Sequence, residues 1–302
     1  MPIKTLSSLT ASELITSGRV VLCLSYNGNR YHGWQSQKSG IPTVQQAIEK
    51  AISLVANESI SVVCAGRTDK SVHSSYQVVH FETTAKRDAR AWVFGCNANL
   101  PSDISISWAG SVAGDFHARF SAISRRYNYV IYNHPIRPAN FSTEQTWCHS
   151  PLDADTMNQA AQHLVGRHDF TSFRAVGCQS KSPVRTLEFV NVTRYGNIIL
   201  LDIKGNAFLH HMVRNIAGVL MAIGSGKEAV EWCSEVLAAR DRTKASVTAP
   251  PHGLFLTQVD YPEEFKIPKS TGAPSLIQAM INPPSSQYSI DEDVWKIAYL
   301  AG

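Results

Sequence analysis

The apolar positions of this chain change period several times, and each change marks an element. Residues 20–26 are an apolar, β-prone run ending at the turn sequence Asn27-Gly28-Asn29, which predicts a first strand. A helix follows from residue 44. Thr43-Val44-Gln45-Gln46 fits a capping box, and Val44, Ala47, Ile48, Ala51 and Val55 recur on one face. The next apolar run, Val62, Val63, Cys64 and Ala65, breaks at Gly66 into a charged loop and resumes at Gln77 as Val78, Val79, His80 and Phe81. That pattern reads as strand, loop, strand. Residues 88–96 predict a second amphipathic helix with Trp92 and Val93, stopped by Asn97-Ala98-Asn99-Leu100-Pro101. Ile104, Ile106 and Trp108 then alternate along a fourth strand.

The order through residue 112 is therefore β-α-β-β-α-β, the ferredoxin-like unit. It recurs. Residues 125–132 open another strand with Tyr127, Tyr129 and Ile131 on one face, and residues 155–165 form a helix with Met157, Ala160, Ala161 and Leu164 as its stripe, closed by Gly166. Strands at 187–193 and 198–204 turn at Tyr195-Gly196-Asn197. A long apolar helix over 208–223, a polar-faced one over 227–239 and a strand over 254–259 complete the repeat, elaborated by the 166–186 loop. The predicted fold class is α+β, two ferredoxin-like domains with mainly antiparallel sheets and a cleft between them, where ligands commonly bind. The boundaries read as an N-terminal extension at 1–18, domains at 19–114 and 115–262, and a tail at 263–302. Pro, Ser and Gly dominate the tail apart from an apolar piece at 276–281 and an acidic end with Trp295 and Tyr299. It is either partly disordered or docked back through its aromatics.

Composition narrows the class. At 302 residues, 44% apolar and 17% charged, the chain describes a well-buried globular protein. A net charge of +4 and a pI near 8.7 permit a polyanionic partner without requiring one. The six cysteines lie scattered in apolar segments with no Cys-x-x-Cys pair, which predicts buried free thiols and a reducing, cytoplasmic setting. Residues 1–18 lack a signal-peptide apolar core, and no run reaches membrane-spanning length.

The candidate chemistry sits in the loop Gly66-Arg67-Thr68-Asp69-Lys70-Ser71-Val72-His73, where one carboxylate stands between two cations. Nearby positive charge keeps such a group ionised, suited to act as a nucleophile or a base. Arg214 stands in an almost wholly apolar helix, and a buried guanidinium requires a carboxylate or phosphate. Asp69 is the natural candidate. His210 and His211, adjacent in the same predicted helix, should diverge by about a hundred degrees, so they read as structural or RNA-facing and not as metal ligands. No zinc-deaminase pattern, Walker loop or dinucleotide fingerprint is present, so neither a metal nor a nucleotide cofactor is predicted. Basic and aromatic residues interleave at Arg30-Tyr31-His32-Gly33-Trp34, at Arg125-Arg126-Tyr127, and over 168–185 through His168, Phe170, Arg174, Lys181 and Arg185. Single-stranded or looped RNA favours that mixture, because bases stack on rings while cations hold the backbone.

Five ordered motifs carry a resemblance. They are Gly66-Arg67-Thr68-Asp69 with Val72-His73 and 77–81; Arg126-Tyr127-Asn128-Tyr129; His168-Asp169-Phe170-Thr171-Ser172-Phe173; Asn206-Ala207-Phe208 with His210 to Ile216; and Gly253-Leu254-Phe255-Leu256. Together they resemble the tRNA pseudouridine synthase A (TruA) family over residues 20–262. The resemblance implies a homodimeric, cofactor-free isomerase acting on uridines of the tRNA anticodon stem-loop, at its positions 38–40. It implies Asp69 as the catalytic aspartate, Tyr127 stacking on the target base, Arg214 pairing with Asp69, Arg67 holding the nucleotide out of the stack, and Leu254, favoured over Leu256, lining the uracil pocket. Two departures bear on loop geometry. The family usually has Gly where Ser71 stands, and small residues near Tyr76; Gly is chosen where φ is positive or backbone comes close. The main rival is a non-catalytic tRNA-binding or chaperone protein of the same fold. A true RRM lacks support because its RNP1 pattern is absent, and a metal-dependent nuclease lacks its carboxylate cluster.

Overall fold

A computed structural model of the chain describes residues 14–15, 18–37, 40–270, 272–274 and 277–279. The predicted apolar piece at 276–281 lies mostly outside these, as do Trp295 and Tyr299. The chain divides into two compact units, Met1–Ser124 with Leu256–Gly272, and Arg125–Phe255 with Ala273–Gly302.

The first unit runs β1 (Leu14–Ile15), β2 (Gly18–Tyr26), α1 (Val44–Ala56), β3 (Val63–Cys64), β4 (His73–Thr83), β5 (Arg87–Asp88), α2 (Ala89–Asn99) and β6 (Ile104–Ser111). β2 lies between β6 and β4, antiparallel to both, and β3 pairs antiparallel with β4 through Val63 opposite His80 and Cys64 opposite Val79. β1 and β5 form a separate two-stranded pair. Each helix starts on a side-chain cap, Thr43 accepting the Gln46 amide and Asp88 accepting the Ala91 amide. The helices bury Ile48, Ala51, Ile52, Trp92, Val93 and Cys96 against Val20, Leu22, Leu24 and Ile106 of the sheet. Cys23 and Tyr76 occupy the other face, with Phe116 packed on Tyr261 and Phe265.

The second unit comprises β7 (Ser124–Asn133), whose first residue belongs to the first unit, then β8 (Thr146–Cys148), α3 (Ala154–Ala161), β9 (Gly166–Asp169), β10 (Val184–Tyr195), β11 (Ile198–Gly205), α4 (Met212–Gly224) and α5 (Trp232–Ala239). Its strands order as β7-β11-β10-β9, all antiparallel, with β8 parallel to β7. The last strand, β12 (Leu254–Asp260), contributes Leu254 and Phe255 to this unit and the rest to the first. Ala273 and Ile277 pack on Val130, Leu200 and Phe255.

Most expected elements appear within a few residues of their expected ends, and several differ, among them the polar-faced helix, which begins at Trp232 instead of residue 227. β4 begins at His73 instead of Gln77, because Ser74, Ser75 and Tyr76 satisfy their hydroxyls on distant carbonyls, those of Leu256, Gly272 and Pro268. The long helix begins at Met212 instead of residue 208. His211 takes a left-handed φ of 61° just before it, which places both histidines outside the helix. β1, β5, β8 and β9 were not expected; all are short, and β9, Gly-Arg-His-Asp, forms by pairing with Val184 to Leu187 of β10. All six cysteines are free, four of them buried and Cys148 and Cys178 half-buried. Among the described residues no helix is long and apolar enough to cross a membrane.

Candidate active site

The charged loop between β3 and β4 is fixed from outside. Gln77, fully buried at the start of the apolar part of β4, donates from Nε2 to the Gly66 carbonyl at 2.6 Å and accepts the Gly66 amide on Oε1 at 3.3 Å. One side chain thereby saturates both backbone groups of the residue that opens the loop. Two residues on, Thr68 shares a 2.9 Å hydroxyl bond with Tyr26, and its carbonyl accepts the Trp34 amide at 2.9 Å. The Val72 amide returns to the Asp69 carbonyl at 3.1 Å, closing a turn through Lys70 and Ser71. Ser71 has φ +61°, a positive value at the third residue of the turn, as a type II turn requires. That is the physical reason a glycine suits this position. On this frame Asp69 is half-buried while Arg67 and Lys70 are exposed.

The aromatic loop at 30–34 acts as the clamp of this turn. Trp34 is only 1% exposed and Tyr31 is buried, its hydroxyl donating to Asp103 at 2.7 Å. Their rings belong to the core, a correction to the expectation that this loop offers its rings to a ligand. Gly33, at φ +93°, lies so close that a Cβ would stand 2.8 Å from the Thr68 carbonyl oxygen. A Cβ on Gly28 would stand 2.0 Å from the Val72 carbonyl oxygen, so the clamp admits no side chain at either point. Arg30 and His32 remain exposed, Arg30 lying 3.7 Å from Asp103.

Tyr76, a departure from the family pattern, lies on β4 and not in the loop. It accepts from Cys23 Sγ at 3.3 Å and donates to the Pro268 carbonyl, and burial drives its phenol well above the usual range. The Cys64 thiol, at the end of β3, is pushed up to about 12 by burial, with Arg67 and Arg119 both pulling it down.

In the second unit Tyr127 sits on β7 opposite Ile203, 9% exposed, and meets the Phe208 ring edge-on at 5.0 Å. Arg126 makes a bidentate pair with Asp202 at 2.7 and 2.5 Å and lies over Phe189. Arg214 is half-buried in the first turn of α4, its Nε donating to the Ala249 carbonyl at 2.9 Å while its own carbonyl accepts the Ala249 amide. Leu254 and Leu256 are both buried.

The 168–185 segment differs from its sequence reading. Phe170 is fully buried against Phe173, so its ring packs the core instead of facing solvent. His168 is half-buried, a ring nitrogen 2.9 Å from the Val165 carbonyl. Arg174 donates to the carbonyls of Cys178 and Ser180, and Arg185 to those of Ser182 and Val184 and to the Ser180 hydroxyl. These guanidiniums shape their own loop, a correction to their reading as contacts held out for RNA; burial lowers the Arg185 pKa. Lys181 is exposed. The His210 and His211 rings do not diverge: their centroids lie 3.9 Å apart, because neither residue is helical.

Sequence reasoning missed Gln77, Tyr26 and Trp34 as the groups that hold the loop. The signal for Gln77 was available, since an amide heading the run Val78, Val79 has no apolar reason to be there.

Comparison with known proteins adds to the geometry. A family model described as tRNA pseudouridine synthase matches residues 22–121 and 160–262. The tRNA pseudouridine synthase A of Pseudomonas aeruginosa is 56% identical over 272 residues, 89% of this chain and 95% of that protein. That of Cronobacter sakazakii is 56% identical over 85% of this chain and 94% of its own, and that of Alcanivorax borkumensis 52% over 83% and 94%. A solved Cbf5-Nop10-Gar1 complex overlays at a TM-score of 0.31 with 8% identity, over 78% of this chain and 57% of that chain, a likeness too loose to carry argument.

Proposed function

Because the chain belongs to the tRNA pseudouridine synthase family, we propose that it isomerises uridine to pseudouridine in tRNA, with Asp69 as the catalytic carboxylate. The reaction breaks the bond from C1′ to N1, turns the base, and joins C1′ to C5. The proton lost from C5 is balanced by one gained at N1, so atoms and electrons close without an external oxidant or reductant. A carboxylate serves such a reaction either covalently or as a base.

The observation that carries this reading is the loop frame. Gly66 is bracketed by Gln77 and Thr68 is tied to Tyr26 and Trp34, so the backbone that presents Asp69 is held by neighbouring elements of its unit. Positioning of this kind is a large part of catalysis. By family likeness Tyr127 stacks on the target base, Arg67 holds the nucleotide out of the stack, Arg214 serves the Asp69 carboxylate, and Leu254 lines the uracil site. The substrate region is the anticodon stem-loop, contacted through Arg30 and His32 in the first unit and Lys181 in the second, where Arg126, His168, Arg174 and Arg185 shape the surface and Phe170 packs beneath it. On the same likeness we read the protein as a cytoplasmic homodimer that works without a cofactor. Each unit reads as a ferredoxin-like domain, which the order β6-β2-β4-β3 in the first supports.

Asp69→Ala is expected to abolish pseudouridine formation while leaving tRNA affinity within about tenfold, at most about 1.4 kcal/mol. Pseudouridine mapping in tRNA from cells lacking the protein, with wild type or Asp69→Ala added back, checks it. Full activity of the variant ends the assignment, and binding without chemistry by the wild type favours a tRNA chaperone.

A further inference from the structure

The first unit carries an exposed aromatic ring outside the frame of the Asp69 loop. Phe120 is 76% exposed, far more than a large apolar ring needs to be in a chain with this much core. One face is covered: the His117 imidazole stacks on it at 4.3 Å and 30°. Three quarters of the residue nevertheless stays accessible, so much of the ring is open to solvent. The Arg119 guanidinium lies over the same ring, 5.5 Å from its centroid.

The arrangement is built. His117 Nδ1 accepts the backbone amides of both Arg119 and Phe120 at 3.2 Å, which fixes the imidazole under the ring. His117 in turn meets the buried His80 at 4.9 Å, and His80 Nδ1 accepts the Ala118 amide at 3.1 Å. Burial, with the neighbouring His117 and Arg19, pushes the His80 pKa down to about 4, and burial and Arg19 also lower that of His117. Both imidazoles are therefore neutral at neutral pH, and the charge beside the Phe120 ring is that of Arg119.

Its location matters as much as its chemistry. His80 lies opposite Val63 in the β3–β4 pairing, one residue before Cys64 and three before Gly66. Because His80 meets the His117 imidazole under Phe120, the ring stands beside the strand pair that launches the Asp69 loop.

We infer that Phe120, backed by His117 and flanked by Arg119, is a stacking shelf for an unpaired base of the substrate RNA, with Arg119 meeting the adjoining phosphate. The chemistry favours nucleic acid over an apolar protein partner. A single rigid ring beside a cation offers little area for protein docking, whereas it is what single-stranded nucleic acid uses. The inference rests on the tRNA reading above, and its test separates the two.

The experiment measures binding of an unmodified tRNA transcript to the full chain by fluorescence anisotropy, alongside pseudouridine formation and the thermal midpoint. Phe120→Ala is expected to weaken binding about tenfold, in the range of one lost base stack, with an unchanged midpoint because the ring is outside the core. Phe120→Trp should bind within about threefold of wild type, and Phe120→Leu should fail as the alanine variant does. Arg119→Gln should lower the slope of log affinity against log salt by about one. Wild-type affinity in Phe120→Ala overturns the shelf, and rescue by Phe120→Leu overturns it in favour of an apolar protein contact. A wild type that makes no pseudouridine defeats the tRNA reading instead.

Discussion

Two polar loops of this molecule, 65–72 in the first unit and 174–185 in the second, look alike in sequence and differ in how far their cations take part in holding them. Both mix cations with small polar residues between strands. In the first, restraint comes from neighbouring elements: Gln77 holds Gly66, Tyr26 and Trp34 hold Thr68, and Gly33 lets the clamp approach. In the second, guanidiniums at its two ends, Arg174 and Arg185 of β10, wrap onto carbonyls 178 to 184, while the Ala175 amide also donates to the His210 carbonyl and the Phe170 amide to that of Pro183. A loop whose backbone is held by its scaffold does not spend its cations on its own carbonyls. A loop that holds itself has already used them. This difference separates a candidate catalytic loop from a structural one where charge count alone does not.

The sharpest way to break the comparison is to remove the external support. Gln77→Ala leaves the Gly66 amide and carbonyl without their partner and empties a fully buried site, and unmet buried groups cost about 1–3 kcal/mol each. The expected outcome is a loss of about 3 kcal/mol in urea unfolding, with kcat/KM for tRNA falling more than the population of folded protein explains. Gln77→Glu keeps the acceptor for the Gly66 amide but sets a carboxylate against the Gly66 carbonyl, so it should be impaired as well. Normal turnover in a folded Gln77→Ala enzyme would show that the loop needs no scaffold.

The complementary test removes a cation from the second loop. Arg185→Met keeps the aliphatic stem and deletes its three donor bonds, which is expected to cost about 1–2 kcal/mol because the loop loses its internal ties. If Arg185 is fully engaged in the loop, the salt dependence of tRNA affinity stays at its wild-type slope. Lys181→Ala should instead lower that slope by about one with little change in stability, since Lys181 is exposed. The reverse pattern in a salt titration would give Arg185 back to the RNA surface.

What was legible in the sequence follows the reach of the information. Local signals read well: Thr43 caps α1 as its spacing predicts, and the alternation at Ile104 and Ile106 marks β6. The Asp69 loop was found because Gly66 breaks an apolar run. Signals that depend on distant partners were hidden. Ser74 and Ser75 look like loop residues until their hydroxyls meet the carbonyls of Leu256 and Gly272, far along the chain, and so β4 was read four residues short. Tyr31 and Trp34 looked like ligand-facing rings because an irregular segment has no period to show which side is buried. The helix before Arg214 was read four residues early for a related reason. Phe208 and Leu209 continue its apolar run, whereas only the backbone shows that His211 turns left-handed.

The smallest expected effect sits in the Asp69 turn itself. Ser71 holds φ +61°, and an L-residue there costs about 1–2 kcal/mol relative to a right-handed conformation. Glycine adopts that φ freely, but its greater freedom in the unfolded chain takes back about 0.5–1 kcal/mol. Ser71→Gly should therefore stabilise the protein by about 0.5–1 kcal/mol, read as a rise in urea midpoint at unchanged slope. Because Ser71 is buried and its amide donates to the Tyr31 carbonyl at 3.3 Å, the substitution keeps the clamp contact and alters only torsional preference. Activity should stay close to wild type, since the scaffold and not the turn residue sets the Asp69 backbone. Ser71→Val, with a β-branched side chain at the same φ, should destabilise by more than glycine stabilises. If instead Ser71→Gly costs turnover while gaining stability, the strain at this turn is part of how Asp69 is aimed, and external restraint alone no longer accounts for the difference between the two loops.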